Sequence, residues 1–556
     1  MMNASLPINT LPPELLATIF ALVPEPIDIR KHWQCDPTPI LSPDSLFDVR
    51  QLRSIVGVCH RWREVAFSTP WLWSVLLDRR GKDRDGIVDT LPLHRNYLER
   101  CTGGPLSAYI EGPMSPYTSK ILRTPALAER IRELWFDCGY CRMREDVITL
   151  LSAVTASFTN LEYCGLTVGV RLPQPPFKTF LDHTRVKRLR LDTIDYIPSC
   201  GIPSLTHLAI SVYELFHQPM SQVLDFIAAS TALRELYMSG FSSVIDRLER
   251  PPVDRVPGGP VHLQQLQRFI LNDIRFYRCN DPESDPMRKL CTMLFTNIVI
   301  PSTCVVRIGD IFPSTLLRCS QELIHLTRIP ATHILIRHIH TDFDQFCALY
   351  AWSPRRAEYT CFQMGMTSMG AVSTAELRDA LGPALSQAPL FSAVEELYIN
   401  VAYARGQAWN NTMSHAIFPN LPHLKVLVVE SDTPMSMTTV LCAFNVSHGG
   451  RGAPKDVQSI CCPLLATIVA TCRSKKDIEF MRQLARSRAA AGRPFSKLYL
   501  DVVANNWGGM REYDLHGEMV RMLSEDEAKC HRLQWRMKET APPNWTDWTD
   551  DEPQLS

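Results

Sequence analysis

The stretch VKRLRLDTIDYIPSCGIPSLTHLAI, residues 186–210, contains one six-residue figure twice. In VKRLRL (186–191) and LTHLAI (205–210), apolar side chains hold the first, fourth and sixth positions. The last three positions alternate with period 2, as a β-strand with one buried face requires. Upstream the figure recurs in IRELWF (131–136) and LEYCGL (161–166), and downstream in LRELYM (233–238) and LQRFIL (266–271). TCVVRI (303–308), ATHILI (331–336) and YTCFQM (359–364) are weaker copies. Strong ones return in VEELYI (394–399), LKVLVV (424–429), LLATIVA (464–470) and FSKLYL (495–500).

Helical patterns lie between these cores. DVITLLSAVTASF (146–158) places Val147, Leu150, Leu151, Val154 and Phe158 on one face. KDIEFMRQLARSRAAAG (476–492) does the same with Ile478, Met481 and Leu484, and Gly492 stands where such a helix ends. Strand and helix alternating at a period of roughly thirty residues describe a solenoid, in which each unit buries its face against its neighbours. A doubly wound α/β domain shares the alternation but does not need so many strands in series.

Composition sets the outer limits. The 556 residues are 45% hydrophobic and 21% charged, the profile of a soluble globular chain long enough to bury a sizeable core. Lys and Arg number 58, as do Asp and Glu, and this balance argues against a nucleic-acid binder, whose phosphate contacts need a basic surplus. Forty-one prolines against 25 glycines imply rigid turns between short elements. The opening MMNASLPINTLPPELLATIF has neither the basic nor the apolar region of a secretory signal, and no apolar run is long enough for a membrane span. The 18 cysteines, several inside apolar runs (Cys164, Cys347, Cys442), are then expected as reduced thiols in cytosol or nucleus. On that reading the sequons at Asn3, Asn410 and Asn445 are chance matches.

The first eighty residues read differently. TLPPELLATIFALV (10–23) predicts a helix: Pro12 and Pro13 fall in its first turn, and Glu14 complements the dipole. Leu15, Ile19 and Leu22 form one apolar stripe, and Leu16 with Phe20 a second. Further helices are predicted in VRQLRSIVGVC (49–59) and HRWREVAFS (60–68), followed by an aromatic cap in TPWLWSVLL (69–77). Three short helices make too small a core to stand alone, so this module should complete its core against something else.

LPPELLATIF (11–20), then VCHRWREVAFSTPWLW (58–73), resembles the F-box, with Leu11, Pro12, Glu14, Leu15, Ile19, Phe20, Val58, Cys59, Trp62, Arg63, Ala66, Leu72 and Trp73 matching in order. The resemblance implies a three-helix module that docks on a Skp-family adaptor and, through it, a cullin. Carried over by position, Leu11, Pro12, Leu15, Ile19, Val58, Cys59 and Trp62 would lie at or near that contact. One departure is a long proline-rich insertion at about 24–46, expected to project as a loop. The repeated figure in turn resembles degenerate leucine-rich repeats, which commonly follow an F-box.

The expected organisation is therefore α/β: an all-α F-box at 1–78, a bridging helix and first strand at 79–130, an irregular leucine-rich-repeat solenoid (a horseshoe) at 131–523, and an acidic, disordered tail at 524–556. The function implied is a substrate-recognition subunit of an SCF-type ubiquitin ligase, holding an unknown target on the solenoid. A non-degradative F-box scaffold or protein-interaction module is the alternative.

Residues between the two buried positions of each strand face the other side of the sheet, the concave side of a horseshoe. They are Trp135, Arg190, Tyr237, Arg307, Gln363, Tyr398 and Tyr499. Aromatics and arginine are frequent binding anchors, so these form a candidate target-binding face. Cross-strand stacking among them is the simpler role.

Signals of chemistry are sparse. Cys138 and Cys141 form a lone CxxC without a second ligand pair, and HGGRGAPK (448–455) lacks the spacing of a phosphate loop. His338 and His340 project the same way from a strand without a third ligand, and Cys461-Cys462 precedes Pro463 and a leucine core. Hydrolase, metalloprotease and kinase signatures do not occur. The expectation is a protein that is not an enzyme, with no cofactor or metal, and with no nucleic-acid or membrane partner.

Overall fold

Seven strands of the first unit, residues 1–265, pair side by side in the order in which they occur. They are β1 (Val75–Arg79), β2 (Leu106–Glu111), β3 (Ile131–Asp137), β4 (Tyr163–Thr167), β5 (Arg188–Ile194), β6 (His207–Val212) and β7 (Glu235–Ser239). Every one of these pairings is parallel. The computed structural model describes residues 7–24, 51–79, 104–111, 114–137, 148, 150, 158–168, 185–194, 197–198, 201–212, 216, 218–241, 259–272, 286–301, 303–308, 316–317, 320–321, 330–340, 345–353, 360–368, 374–403, 411–431, 440–444, 461–472, 474–502, 509–513 and 519–531. The fold is mixed α/β, with eleven α-helices among the described residues.

Register explains the repeated figure. Its sixth positions align across the sheet as Phe136, Leu166, Leu191, Ile210 and Met238, with Ile110 of β2 completing the row, and all six are fully buried. Each such side chain contributes about 1.5–3 kcal/mol. One residue earlier, on the opposite face, stand Tyr109, Trp135, Gly165, Arg190, Ala209 and Tyr237. Gly165 is small because the Trp135 ring lies over it: a Cβ there would be 2.8 Å from Trp135 Cε3. Gly165→Ala is therefore expected to lose about 1–3 kcal/mol by overpacking, read as a lower denaturation midpoint at unchanged slope.

Three helices, α1 (Pro13–Ala21), α2 (Leu52–Val58) and α3 (His60–Ser68), close over that second face. Leu16, Phe20, Leu52, Ile55, Val65 and Ala66 share one core with Leu72, Trp73, Tyr109, Trp135 and Tyr163. The small core of the helical stretch is thus completed by the chain's own sheet. The sheet also begins earlier than expected. Val75–Arg79 is a strand in register with Ser107–Glu111, where an aromatic cap was predicted. A short apolar run after a proline carries too little periodicity to distinguish the two. Between β2 and β3 come α4 (Pro116–Leu122) and α5 (Pro125–Ala128), and between β6 and β7 comes α6 (Met220–Ala229); the two-residue β8 (Val261–His262) follows.

The second unit, residues 266–556, departs from uniform repetition. It contains β9 (Arg268–Asn272), α7 (Pro286–Asn297), β10 (Ile298–Val299), β11 (Val305–Ile308), β12 (His333–His340), β13 (Gln345–Ser353), β14 (Thr360–Ser368), α8 (Thr374–Gln387), β15 (Glu396–Tyr403), α9 (Asn411–Ile417), β16 (Val426–Ser431), β17 (Thr467–Cys472), α10 (Lys475–Ala490), β18 (Lys497–Val502), β19 (Gly509–Tyr513), β20 (Met519–Met522) and α11 (Glu525–Lys529). Strands β12, β15, β16, β17 and β18 run parallel in that order. Strand β13 is antiparallel to both β12 and β14, while β11 is parallel to β9 and β14. The weak copies of the figure fall where this antiparallel pairing intervenes. Helix α10 follows expectation: Ser474 and Asp477 form a reciprocal capping box, and Gly492, at φ +73, turns the chain after it. Helix α11 lies where the sequence suggested the start of a disordered tail.

Candidate functional site

Exposed apolar surface concentrates on the N-terminal helices and the turns that directly follow them. Of the eight large hydrophobic side chains exposed among the described residues, five are Leu15, Leu22, Val23, Val58 and Trp71. Scattered exposed leucines are ordinary, and five such side chains within one small module make it the candidate site. The helical period produces it on α1: Leu16 and Phe20 face the core, while Leu15 and Leu22, 52% and 81% exposed, face away.

The module is held together by specific hydrogen bonds. Arg61 Nη2 donates to the Leu11 carbonyl at 2.6 Å, tying α3 to the start of α1. Trp73 Nε1 donates to Ala66 O at 2.8 Å in the interior. Cys59 Sγ caps α3 by accepting from the Trp62 amide at 3.5 Å, and Arg63 Nε donates to Val56 O. The Trp62 ring rests against Phe20, with centroids 5.1 Å apart.

The sequence-derived adaptor residues therefore divide. Pro12, Leu15 and Val58 are exposed. Leu11, Ile19, Cys59 and Trp62 are half-buried, and Leu11 and Trp62 also pack on the core. Leu22 belongs to the predicted stripe, although the family pattern does not include it. Val23 and Trp71 were missed because no spacing rule marks them as exposed.

The candidate target-binding face has another arrangement. Trp135 is 1% exposed, Tyr398 0% and Tyr499 4%, and Arg190 and Tyr237 are also buried. Arg307 is half-buried, and the Gln363 side chain lies outside the described residues. Trp135 stacks on Tyr163 at 5.7 Å, and the Arg190 guanidinium sits 5.4 Å over its ring. In the second unit Tyr398 stacks on both Trp352 and His333, and Trp352 and Tyr398 join Leu335, Tyr350, Val428, Val469 and Tyr499 in one core. Trp135, Tyr398 and Tyr499 pack against neighbouring side chains and covering segments, as cross-strand stacking predicts. A partner reaching them would have to displace that cover.

Residues 519–531 supply part of the cover in the second unit. Leu523 and Ala528 join its aromatic core, and His531 stacks on Tyr499 at 3.8 Å. Helix α11 is started by a Ser524–Glu527 capping box, with Arg521 bridging Glu527 and Glu512. The Ser524 amide, then Arg521, hold the Glu527 carboxyl down from an ordinary 4.5 to about 2. A depressed carboxyl contributes stability above its unfolded value and loses it as pH falls toward the folded one. Acidification from 4.5 to about 2 should thus loosen this helix start. Amide exchange at Glu527 and Ala528, corrected for intrinsic rate, should rise over that window, and Glu527→Gln should remove the dependence; exchange insensitive to pH in the native chain would contradict it.

Other titratable groups offer little chemistry. Burial pushes the thiols of Cys164, Cys304 and Cys472 well above their usual range, so they stay protonated. Burial also raises the Asp192 carboxyl, opposed by Arg190. Among the described residues no group of three His, Cys, Asp or Glu side chains is placed to hold a metal, and no helix is long and apolar enough to cross a membrane. The CxxC at Cys138 and Cys141, the 448–455 loop, the sequons and nearly all of the 24–46 insertion lie outside the described residues, as do the side chains of His338 and His340. No family model matches the chain, and no curated protein matches its sequence.

Proposed function

We propose that the chain is a substrate-recognition subunit of an SCF-type ubiquitin ligase, joined to a Skp-family adaptor through α1–α3. The observation that carries this reading is the exposed apolar set Leu15, Leu22, Val23, Val58 and Trp71 on the segment whose sequence resembles an F-box. The inner face of that segment is already satisfied by the sheet, so among the described residues the outer apolar side chains take no part in that core. In this reading the remainder is an irregular leucine-rich-repeat solenoid that presents a target protein. Its mechanism is proximity: a tethered target meets the ubiquitin-loaded enzyme at high effective concentration.

Affinity purification from cells tests the assembly. The wild-type chain is expected to recover Skp-family adaptor, cullin and ubiquitin chains, and Leu11→Ala/Pro12→Ala to recover several-fold less of each. Adaptor without cullin would instead favour a non-degradative scaffold. Equal adaptor recovery by wild type and variant, or none by either, removes the proposal.

A further inference from the structure

Cys461 and Cys462 stand beside a buried cation. Adjacent side chains on extended backbone point to opposite sides. Here Cys462 takes a left-handed conformation, φ +49, and the two sulfurs come to 3.9 Å. A non-glycine residue in that region is uncommon and costs free energy, so the surrounding structure holds it there. Arg488, reaching back from α10, is one of those holds. Its Nη1 donates to Cys461 O at 3.0 Å, Nη2 to Cys462 O at 3.1 Å and Leu465 O at 3.5 Å, and Nε to Arg493 O at 3.3 Å. Phe495 covers the guanidinium at 4.9 Å. Among the described residues its partners are these carbonyls and this ring, with no carboxylate to balance the charge.

We propose that Cys461 and Cys462 are a peroxide-reactive dithiol that closes reversibly to a vicinal disulfide. Cys461 is half-buried, whereas Cys462 is buried, its S–H shared between Phe418 O at 3.0 Å and Cys461 Sγ at 3.9 Å. The pair loses its first proton from Cys461, whose thiol is pulled down first by Cys462 and then by Arg488, while Cys462 is held up by Cys461 and by burial. The Cys461 thiolate attacks one peroxide oxygen and the O–O bond breaks; the departing hydroxide takes a proton and leaves as water. The resulting sulfenic acid is attacked by Cys462 Sγ, an S–S bond forms, and the S–O bond breaks. Its hydroxyl leaves with the Cys462 proton as a second water. Two thiols and one peroxide thus become one disulfide and two waters. Neighbouring residues have Cα atoms about 3.8 Å apart, below the usual disulfide range, so the bond is strained and readily reduced.

The test uses the full-length reduced protein, limiting hydrogen peroxide, alkylation after denaturation, and mass spectrometry of a chymotryptic peptide that holds both residues but not Cys472. At doses that leave the exposed Cys530 alkylatable, this peptide should lose two hydrogens and resist alkylation, and dithiothreitol should restore both sites. Cys462→Ser should stop at a sulfenic acid on Cys461, trapped by a 1,3-diketone. A wild-type peptide that carries two alkyl groups at doses that oxidise Cys530 overturns the proposal, whatever the variant does.

Discussion

Replacing Trp135 by alanine is expected to cost about 3–5 kcal/mol and to free the N-terminal helices from the sheet. The ring is 1% exposed and joins two elements at once: it stacks on Tyr163 of the neighbouring strand and shares a core with Leu16, Phe20, Leu52 and Ile55. Truncation removes this volume where Gly165 below cannot fill the gap. Chemical denaturation should show the loss, and hydrogen exchange should show protection falling in α1 and α3 more than in β6 and β7. A loss below about 1 kcal/mol would mean that the helices do not depend on this face.

Arg488→Met is expected to be comparably severe, at about 2–5 kcal/mol, because it strips donors from several main-chain carbonyls. Replacing a whole buried ion pair by hydrophobic residues can be neutral, because both charges go together. That route is closed here. The acceptors are main-chain carbonyls of Cys461, Cys462, Leu465 and Arg493, which no substitution removes. Cys462 O keeps the Leu465 amide at 3.1 Å, but a buried carbonyl that is left without a donor costs about 1–3 kcal/mol, reduced where water enters. Denaturation midpoints of Arg488→Met and Arg488→Lys should both fall, with lysine the milder because it keeps a charge and some donors. An unchanged midpoint in the methionine variant would show that the clamp carries no net stability.

Much of the parallel strand order was legible because two constraints agree in one short figure: period-2 alternation in the last three positions, and a leucine or its equivalent at the first. Phe136, Leu166, Leu191, Ile210 and Met238 fall in one buried row as that figure requires. Strand β13, QFCALYAWS, was not legible, because antiparallel pairing imposes no such lead-in. The fate of Trp135, Tyr398 and Tyr499 was hidden for a different reason. Alternation places them on the second face, but what covers that face comes from distant segments, Leu16–Phe20 in one unit and Leu523–Ala528 in the other. At the candidate adaptor surface, the stripe Leu15, Ile19 and Leu22 was legible from helical period alone. The exposure of Val58 and Trp71 depends on tertiary packing, which spacing does not encode.

Adaptor binding through α1–α3, as proposed, can be measured directly. The direct measurement is a titration of the purified full-length chain with purified adaptor, wild type against Leu15→Asp/Val58→Asp. Both side chains are exposed, so the double variant should keep the wild-type unfolding free energy within about 0.5 kcal/mol. Saturable one-to-one binding is expected of the wild type, weakened at least about tenfold in the folded variant, the effect of about 1.4 kcal/mol. Absence of saturable binding by the wild type, or equal affinity in the variant, would contradict it.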